Sequence, residues 1–398
     1  MRTNLTVLVL IWLCVPFIEL SAETNRHGEY VEFVERGFRA LFQGDNQATI
    51  DAFNAALTIE PNHHEILHYL GMIYSEDSSW NKAVEVYSRS LELQPDNIEV
   101  LYSLGVVYFK LNQWEDALTP LQKVVSLSPH HARGYEVLGK VYVKLRQYAK
   151  AVKVLDRAIE LKPNAAGNYN ELGNAHLNLT AYDDAIKNFK KAIEIGPPDF
   201  AEPHFGLGTA YLRSGNQSKS REEMQIYQTL QKVAADHERF TRLTRVDPNN
   251  LEGWIGLAKV LMRQRKYKRV LPVFQKCIEL AKAQNASAAT IAGFHHGISQ
   301  TFINLKYPKL AVDSAKTAIQ LMPEHDLFYN TLGSAYAMLG DVQNAIAVFQ
   351  KAVSLNEEQP YYHLNLSKLY NSIGQQKLGR QHYQAYQHFL SLQEQKKN

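Results

Sequence analysis

The sequence predicts an all-α fold made of about ten consecutive helical hairpins. Prolines recur at a constant spacing of 34 residues, at Pro61, Pro95, Pro129, Pro163 and Pro197. Between successive prolines, apolar residues return every three or four positions in two separate runs, which is the period of an amphipathic helix. Because a proline cannot continue helical hydrogen bonding, we expect each one to end the second helix of a pair.

The repeat that ends at Pro95 illustrates the residues of one hairpin. Its first helix combines leucines with a glycine and a tyrosine, and its second helix combines aromatic residues with an alanine; these residues are Leu67, Leu70, Gly71, Tyr74, Trp80, Ala83 and Tyr87. The pattern resembles the tetratricopeptide repeat (TPR) family. The resemblance covers nearly the whole chain after residue 22. It implies a right-handed superhelical solenoid in which the first helices line a concave groove for peptides.

Small residues at fixed places predict where the two helices of a hairpin touch. The first helices carry glycines at Gly71, Gly105, Gly139, Gly173 and Gly333. The second helices carry alanines at Ala83, Ala117, Ala151, Ala185, Ala311 and Ala345. Since neither residue has a bulky side chain, we expect close contact between the helices at these positions and loss of stability where a larger residue is introduced.

Two irregularities interrupt the repeat. The unit that opens near Ala201 does not close with a proline on time, and residues 217–247 keep helical spacing without proline or glycine. This stretch predicts one long helix, or two helices joined by a bend near Ala235. A small, polar segment from Ala283 to Thr290 predicts a longer loop.

The predicted organisation has four parts, with the repeats divided into two sub-arrays. They are a signal peptide over residues 1–22, an N-terminal TPR array over 23–216, a long second helix and linker over 217–247, and a C-terminal TPR array with a capping helix over 248–398. The polar end of the last segment suits a capping role, because a terminal repeat must present a solvated outer face.

The first 22 residues have the pattern of a secretory signal. Arg2 is followed by an apolar run from Leu5 to Ile18 and by the small residues Ser21 and Ala22. We expect cleavage near Glu23 and export to a periplasmic, envelope-associated or secreted location. The alternative is an uncleaved membrane anchor, and we expect membrane association only in that case.

The charge balance argues against a polyanionic partner for the chain as a whole. Its 43 basic and 40 acidic residues give a net charge of +3. A charge this close to zero is compatible with binding to proteins, but it does not favour binding to a nucleic acid or to a membrane surface. Binding to a nucleic acid or to a membrane would therefore require a local cluster of basic residues. The basic run at Arg263, Arg265, Lys266, Lys268 and Arg269 lies in a turn between two helices, where we expect a solvated loop in preference to an anion or phospholipid contact.

The two cysteines predict no internal disulfide in the mature chain. Cys14 lies in the predicted signal, so Cys277 would be the single cysteine left. Cys277 occupies the place where other repeats have a small buried residue such as Ala158 or Ala192. We therefore expect a buried, unreactive thiol.

The segment His64-Glu65-Ile66-Leu67-His68 matches the H-E-x-x-H motif of zinc peptidases. Tyr74 stands where the longer form of that motif has its third metal ligand. The leucine, glycine and tyrosine of this helix already belong to the repeat pattern, so we interpret the match as coincidental. His64 and His68 remain weak metal candidates, and we expect no catalytic residues and no cofactor.

The repeat register predicts which side chains of the first helices face the concave groove. They mix charged, amide and aromatic groups, as peptide-binding surfaces do. The candidates are Tyr102, Val106, Phe109, Arg133, Glu136, Lys140, Lys144, Asn170, Asn174, Asn178 and Phe205. The competing interpretation is that these residues form an ordinary solvated face.

The resemblance and the register together predict a non-enzymatic scaffold or adaptor that binds a protein or peptide outside the cytoplasm, and not a nucleic acid. Two alternatives stay open. One is the substrate-recognition subunit of a separately encoded transferase, and the other is a zinc peptidase that uses the segment from His64 to His68.

Overall fold

The structure is a computed structural model that describes residues 22–395, with side chains from Arg26 onwards. Within these residues it contains twenty α-helices and no β-strand, so the all-α prediction is confirmed. The predicted signal peptide, apart from its last residue, lies outside the described residues, as does Cys14.

Most of the helices have 12 to 14 residues, and a few are longer. In chain order they are α1 (Ala22–Gln43), α2 (Asn46–Ile59), α3 (His64–Glu76), α4 (Trp80–Leu93), α5 (Ile98–Lys110), α6 (Trp114–Leu127), α7 (Ala132–Lys144), α8 (Tyr148–Leu161), α9 (Ala166–Asn178), α10 (Tyr182–Ile195), α11 (Glu202–Arg213), α12 (Gln217–Val246), α13 (Leu251–Arg263), α14 (Tyr267–Ala283), α15 (Ala288–Asn304), α16 (Pro308–Leu321), α17 (Asp326–Leu339), α18 (Val342–Leu355), α19 (Pro360–Ser372) and α20 (Gln376–Gln395).

The described helices pair into ten hairpins. Nine odd-numbered helices pack against the even-numbered helix that follows, with α11 and α12 joined instead by a contact between His204 Nδ1 and Glu223 Oε2 at 2.7 Å. From α2 to α11, and again from α14 to α19, each second helix also packs against the first helix of the next hairpin. The predicted number and order of hairpins are therefore confirmed.

The chain divides into two compact units. The first comprises the described residues up to Gly196 together with Glu202–Glu223, and the second comprises Pro197–Ala201 and the residues from Met224 onwards. The boundary falls inside α12, which is one uninterrupted helix of 30 residues and not two separate helices.

Each regular hairpin is closed by a large apolar side chain of the second helix that lies over a glycine of the first. A Cβ atom added to any of these glycines would overlap the facing side chain. The pairs are Gly71 with Tyr87, Gly105 with Leu121, Gly139 with Leu155, Gly173 with Phe189 and Gly333 with Phe349. The facing side chains are all almost fully buried, so the glycine leaves space for the core of the hairpin.

Neighbouring hairpins are joined by polar contacts that repeat with the register. Gln122 Nε2 donates to the Tyr142 hydroxyl at 2.8 Å, and Gln350 Nε2 donates to the Tyr370 hydroxyl at the same distance. Both tyrosines are buried, with exposed fractions of 6%. Because a buried hydroxyl needs a hydrogen-bond partner, these contacts stabilise the packing of one hairpin on the next.

The expected long loop between Ala283 and Thr290 is wrong. The extra residues lengthen α14 and α15 to 17 residues each, and only residues 284–287 connect the two helices. Ser287 caps α15 by accepting from the Thr290 amide, and Gln284 Nε2 donates to the Asn249 carbonyl at 3.0 Å. Helical hydrogen bonds and these two contacts supply partners for backbone groups that would bond to water in a loop.

Cys277 lies in the core of the second unit with no exposed surface. Burial raises the pKa of its thiol to about 12. The thiol therefore stays protonated at neutral pH and is a poor nucleophile, as expected from its place in the repeat.

Among the residues described, no helix combines the length and the apolar character needed to cross a membrane.

Gly139→Leu tests the closure of a hairpin. A Cβ at this position would lie 2.5 Å from Leu155 Cδ2, so the larger side chain should overpack the contact and lower the free energy of unfolding by about 1–3 kcal/mol or more. Gly167→Ala is the control, because no atom lies within 4 Å of its added Cβ. We expect the control to be neutral or more stable by up to about 1 kcal/mol in urea unfolding followed by circular dichroism. Equal effects of the two changes would contradict the proposed contact.

Candidate peptide-binding surface

The first helices of the first compact unit form a continuous surface. Helix α3 contacts α5, α5 contacts α7, α7 contacts α9, and α9 contacts α11. Helix α1 joins this row through the rings of Phe38 and Tyr69, whose centroids are 5.1 Å apart. We call the side chains that these six helices present at the predicted groove positions the groove strip.

The structure brings most of the predicted groove residues to this strip. Exposed side chains are found at Arg133, Lys144, Asn178 and Phe205. Half-buried side chains are found at Tyr102, Val106, Phe109, Glu136, Lys140 and Asn174. Since half-buried polar and aromatic groups offer contact area and hydrogen bonds together, this distribution suits a binding surface as well as a solvated one.

Asn170 departs from the expectation, because it is buried with an exposed fraction of 7%. Helix α11 contacts α9, and Gly206 of α11 and Gly173 of α9 both lie against the ring of Phe189 on α10. The Oδ1 atom of Asn170 has no hydrogen-bond partner among the described residues. Asn170 thus belongs to the packing beneath the strip and not to its accessible surface.

Tyr102 marks the centre of the strip. Its ring lies 5.1 Å from the ring of His131, and burial raises the pKa of its hydroxyl. Tyr102 and the half-buried Phe109 also pack against the core between α6 and α8. Both aromatic residues therefore support the next hairpin as well as the surface of the strip.

A polar cluster follows on α7 and α9. Lys140 Nζ forms an ion pair with Glu136 Oε1 at 2.7 Å, one helical turn away. Burial raises the pKa of the Glu171 carboxyl, whereas hydrogen bonds to Asn174 and the charge of Lys140 oppose that increase. Lys144 also lies close enough to act on Glu171. The cluster presents both signs of charge together with amide groups to a partner.

Glu171 was not predicted as a site residue. It directly precedes the Leu-Gly pair of α9. From the repeat register alone, the side chain at that place is not expected to point to the groove. Only the packing of α7 against α9 brings its carboxyl toward Lys140.

The aromatic end of the strip on α1 was also missed. Phe38 and Phe42 have exposed fractions of 38% and 79%. Phe38 directly follows Gly37, as Met72 follows Gly71 on the next first helix. The position after the repeat glycine therefore identifies strip residues, and applying it to the degenerate first hairpin would have found Phe38.

The residue that follows the repeat glycine changes in chemical character from one first helix to the next. The residues after the repeat glycines are, in order, Phe38, Met72, Val106, Lys140, Asn174 and Thr209. At this position the strip is thus apolar from α1 to α5 and polar from α7 to α11. Two exposed apolar side chains, Phe205 and Leu212, lie on α11 at the far end, with exposed fractions of 50% and 54%.

The histidines of the H-E-x-x-H segment have other partners. Gln94 Nε2 lies 2.7 Å from His64 Nε2, and because an amide nitrogen only donates, the histidine accepts this bond. The His68 ring lies 6.1 Å from the Tyr87 ring, and burial lowers the pKa of His68. Across residues 22–395, no group of three or more histidine, cysteine or acidic side chains is placed to hold a metal ion.

The raised pKa of Glu171 predicts how its replacement alters the pH dependence of stability. When the folded pKa exceeds the ordinary value of 4.5, ionisation of the carboxyl destabilises the fold above the folded pKa, and this penalty disappears as the pH falls to the ordinary value. We expect Glu171→Gln to be at least as stable as the unchanged protein at neutral pH. The difference in unfolding free energy should shift against the variant as the pH falls toward 4.5, as measured by urea unfolding.

Glu171→Ala is the matched control for this experiment. It removes the carboxyl group together with its hydrogen bond to Asn174. We expect its pH profile to run parallel to that of Glu171→Gln, with a constant loss of stability. If the difference in unfolding free energy between Glu171→Gln and the unchanged protein were the same at every pH, burial would not raise the pKa of the Glu171 carboxyl.

Models of tetratricopeptide repeats match three parts of the chain. The "TPR repeat" model matches residues 71–112 and 139–179, and three models described as "Tetratricopeptide repeat" match residues 99–131, 170–236 and 327–359. No curated protein matches the chain in sequence.

Several solved structures are similar to a part of the chain. A crystal structure of MamA has 26% sequence identity and a TM-score of 0.40, covering 43% of this chain and 93% of its own. MamA from Desulfovibrio magneticus RS-1 has 22% identity and a TM-score of 0.41, covering 42% and 95%. YrrB, a TPR protein with an unusual peptide-binding site, has 24% identity and a TM-score of 0.41, covering 46% and 93%.

The matched repeats lie in both compact units and coincide with hairpins that the structure describes independently. Their glycine and alanine positions are those at which the two helices meet. The chain belongs to the tetratricopeptide repeat family.

Proposed function

We propose that the protein is a non-catalytic scaffold that binds a peptide segment of another protein along the groove strip. The observation that carries the proposal is the continuity of the strip over six neighbouring first helices, with exposed or half-buried side chains on each. Such a surface can hold several residues of an extended or helical segment at once.

The change in chemistry along the strip defines the partner segment. Phe38, Phe42 and Met72 expose apolar area at one end, which favours apolar side chains of the ligand. Lys144 and Asn174 offer donors further along. The segment that fits this order has an apolar part followed by residues with hydrogen-bond acceptors.

The apolar end supplies the strongest argument that the strip binds a partner. Phe42 is 79% exposed, and Phe38 beside it remains partly exposed although it packs on Phe53 and Tyr69. Burial of apolar surface contributes about 25 cal/mol per Å², and aromatic side chains commonly dominate binding energy. A merely solvated face gains nothing from a phenylalanine as exposed as Phe42.

The two alternative functions make different demands on the strip. A recognition subunit of a transferase would use the same surface, and it would co-purify with a catalytic chain. A zinc peptidase would require His64 and His68 to turn toward a metal, although His64 already accepts from Gln94. The described contacts therefore favour binding without catalysis.

Exchange of three exposed strip residues tests the proposal. Phe42→Ala, Lys144→Ala and Phe205→Ala are combined in one variant of the full chain, and peptides selected on the unchanged protein from a random library serve as ligands. We expect at least tenfold weaker binding by fluorescence anisotropy, because aromatic and cationic anchors commonly carry about 2 kcal/mol each. The melting temperature should change little, since these side chains are exposed.

The matched control is a triple variant on the second helices of the same unit. Glu85→Ala, Lys153→Ala and Lys187→Ala remove three other exposed side chains. We expect the control to keep full affinity for the selected peptides. Peptides that lose affinity only for the control variant, or for neither variant, would show that the strip is not the binding surface.

We also propose that the protein acts outside the cytoplasm after removal of its first residues. The apolar run from Leu5 to Ile18 and the small residues before Glu23 support this proposal. We expect N-terminal sequencing of protein from its natural source to begin near Glu23. A sequence that begins at Met1 would contradict cleavage and favour an anchored protein.

A further inference from the structure

The second compact unit carries a concentrated positive surface at two neighbouring turns. One turn joins α13 to α14, and the other joins α15 to α16. Exposed cationic side chains on these turns and the adjoining helix ends are Arg263, Arg265, Lys268, Arg269, Lys306 and Lys309. We call this surface the cationic edge.

The cationic edge is almost uncompensated. Lys266 forms an ion pair with Asp199 at 2.9 Å. Of the six exposed cations, none forms an ion pair with any residue that the structure describes. The two turns share one open depression of about 230 Å³, lined by Arg265, Lys266, Tyr267, Lys268, Arg269 and Leu305. Positive charge therefore concentrates around a concave surface.

The position of two of these cations opposes helix stability. Lys268 and Arg269 lie in the first turn of α14, which contains no acidic residue and has no side-chain cap. The helix dipole is positive at this end, so acidic residues stabilise it by about 0.3–1 kcal/mol each and basic residues do the reverse.

Two equivalent turns in the first unit, those that start α6 and α10, follow the usual preference, whereas α2, α4 and α8 have no acidic residue in their first turn. After the aromatic residue that opens the second helix, α6 has Glu115 and Asp116, and α10 has Asp183 and Asp184. Helix α14 has Lys268 and Arg269 at the same two places of the register. None of the five second helices α2 to α10 has two bases at these places. The two bases lower the stability of the start of α14 relative to α6 and α10, which favours a use for the positive charge other than helix stability.

Two neighbouring features bear on the ligand. Burial lowers the pKa of His237, and the charges of Lys266 and Arg269 lower it further, so the positive field reaches into the adjoining helix. Beside the lysines of the second turn, Tyr307 and Leu310 have exposed fractions of 54% and 47%. Cations next to an exposed aromatic and an exposed aliphatic side chain are typical of a surface that meets the headgroup region of a bilayer.

We propose that the cationic edge docks on anionic phospholipid headgroups of a membrane surface. An acidic peptide would satisfy the charges but would leave Tyr307 and Leu310 in water. A bilayer satisfies both, because phosphates attract the cations while the tyrosine ring and the leucine enter the interface. This contact is separate from the groove strip, which lies in the first unit, and it does not depend on the partner that the strip binds.

The test compares vesicle binding by the full chain and by a variant with Lys268→Glu and Arg269→Asp. These changes give α14 the two acidic residue types that α6 has at Glu115 and Asp116. Vesicles contain either phosphatidylcholine alone or phosphatidylcholine with phosphatidylglycerol, and binding is measured by co-sedimentation. Neutral vesicles report any insertion of the apolar run at residues 5–18, so the quantity of interest is the ratio of binding to the two vesicle types.

The control variant carries Lys153→Glu and Lys187→Asp, two exposed lysines of the first unit with the same change in net charge. We expect the unchanged protein and the control to prefer anionic vesicles, and the preference to weaken with added salt. The cationic-edge variant should lose at least tenfold in that preference, because each basic residue near an anionic surface contributes to the attraction. Its melting temperature should not fall, since acidic residues suit the start of α14.

Three results would overturn the proposal. The unchanged protein could show no preference for anionic vesicles, or the edge variant could bind them as well as the control does. The third result is edge-dependent binding of soluble polyglutamate or inorganic phosphate without binding of anionic vesicles. That result would assign the edge to an acidic peptide or a free anion instead of a membrane.

Discussion

The contact between a glycine on the first helix and a large apolar side chain on the second is the interaction on which the rest of the structure depends. At Gly139, for example, the missing side chain leaves the volume that Leu155 fills without exposure to solvent. Because this volume is filled from the second helix, the two helices approach closely and each hairpin becomes a compact unit. Only hairpins of similar thickness can then stack in a regular row.

The same contact determines which side chains are available for binding. The residue after the repeat glycine points away from the contact, as Met72 does after Gly71, so its identity is free of the packing requirement. The repeat therefore preserves the fold while the strip changes from phenylalanine and methionine to lysine and asparagine. This separation explains how a protein of nearly uniform repeats can present a surface of varied chemistry.

Much of the fold was predictable because its determinants are local and periodic. Prolines, glycines and alanines at constant spacing defined the hairpins, and the register placed residues such as Lys140 on the strip. The failures have tertiary causes. Asn170 is buried because a neighbouring helix approaches closely, and Glu171 joins the cluster only through packing of α7 against α9. Residues 283–290 were interpreted as a loop from their polarity, although one more turn in each adjoining helix satisfies the backbone better.

Net charge proved a poor guide to the surface because it averages over units with different roles. The overall balance of +3 conceals six uncompensated cations at two turns of the second unit. Their meaning comes from comparison within the molecule, since α10 has Asp183 and Asp184 at the places of Lys268 and Arg269 and none of the second helices α2 to α10 has two bases there. The other repeats of the same chain thus serve as the comparison for α14. Lys268 and Arg269 oppose the dipole at the start of α14 without an acidic residue beside them, so they contribute charge and not helix stability, and an anionic surface is the contact that this charge favours.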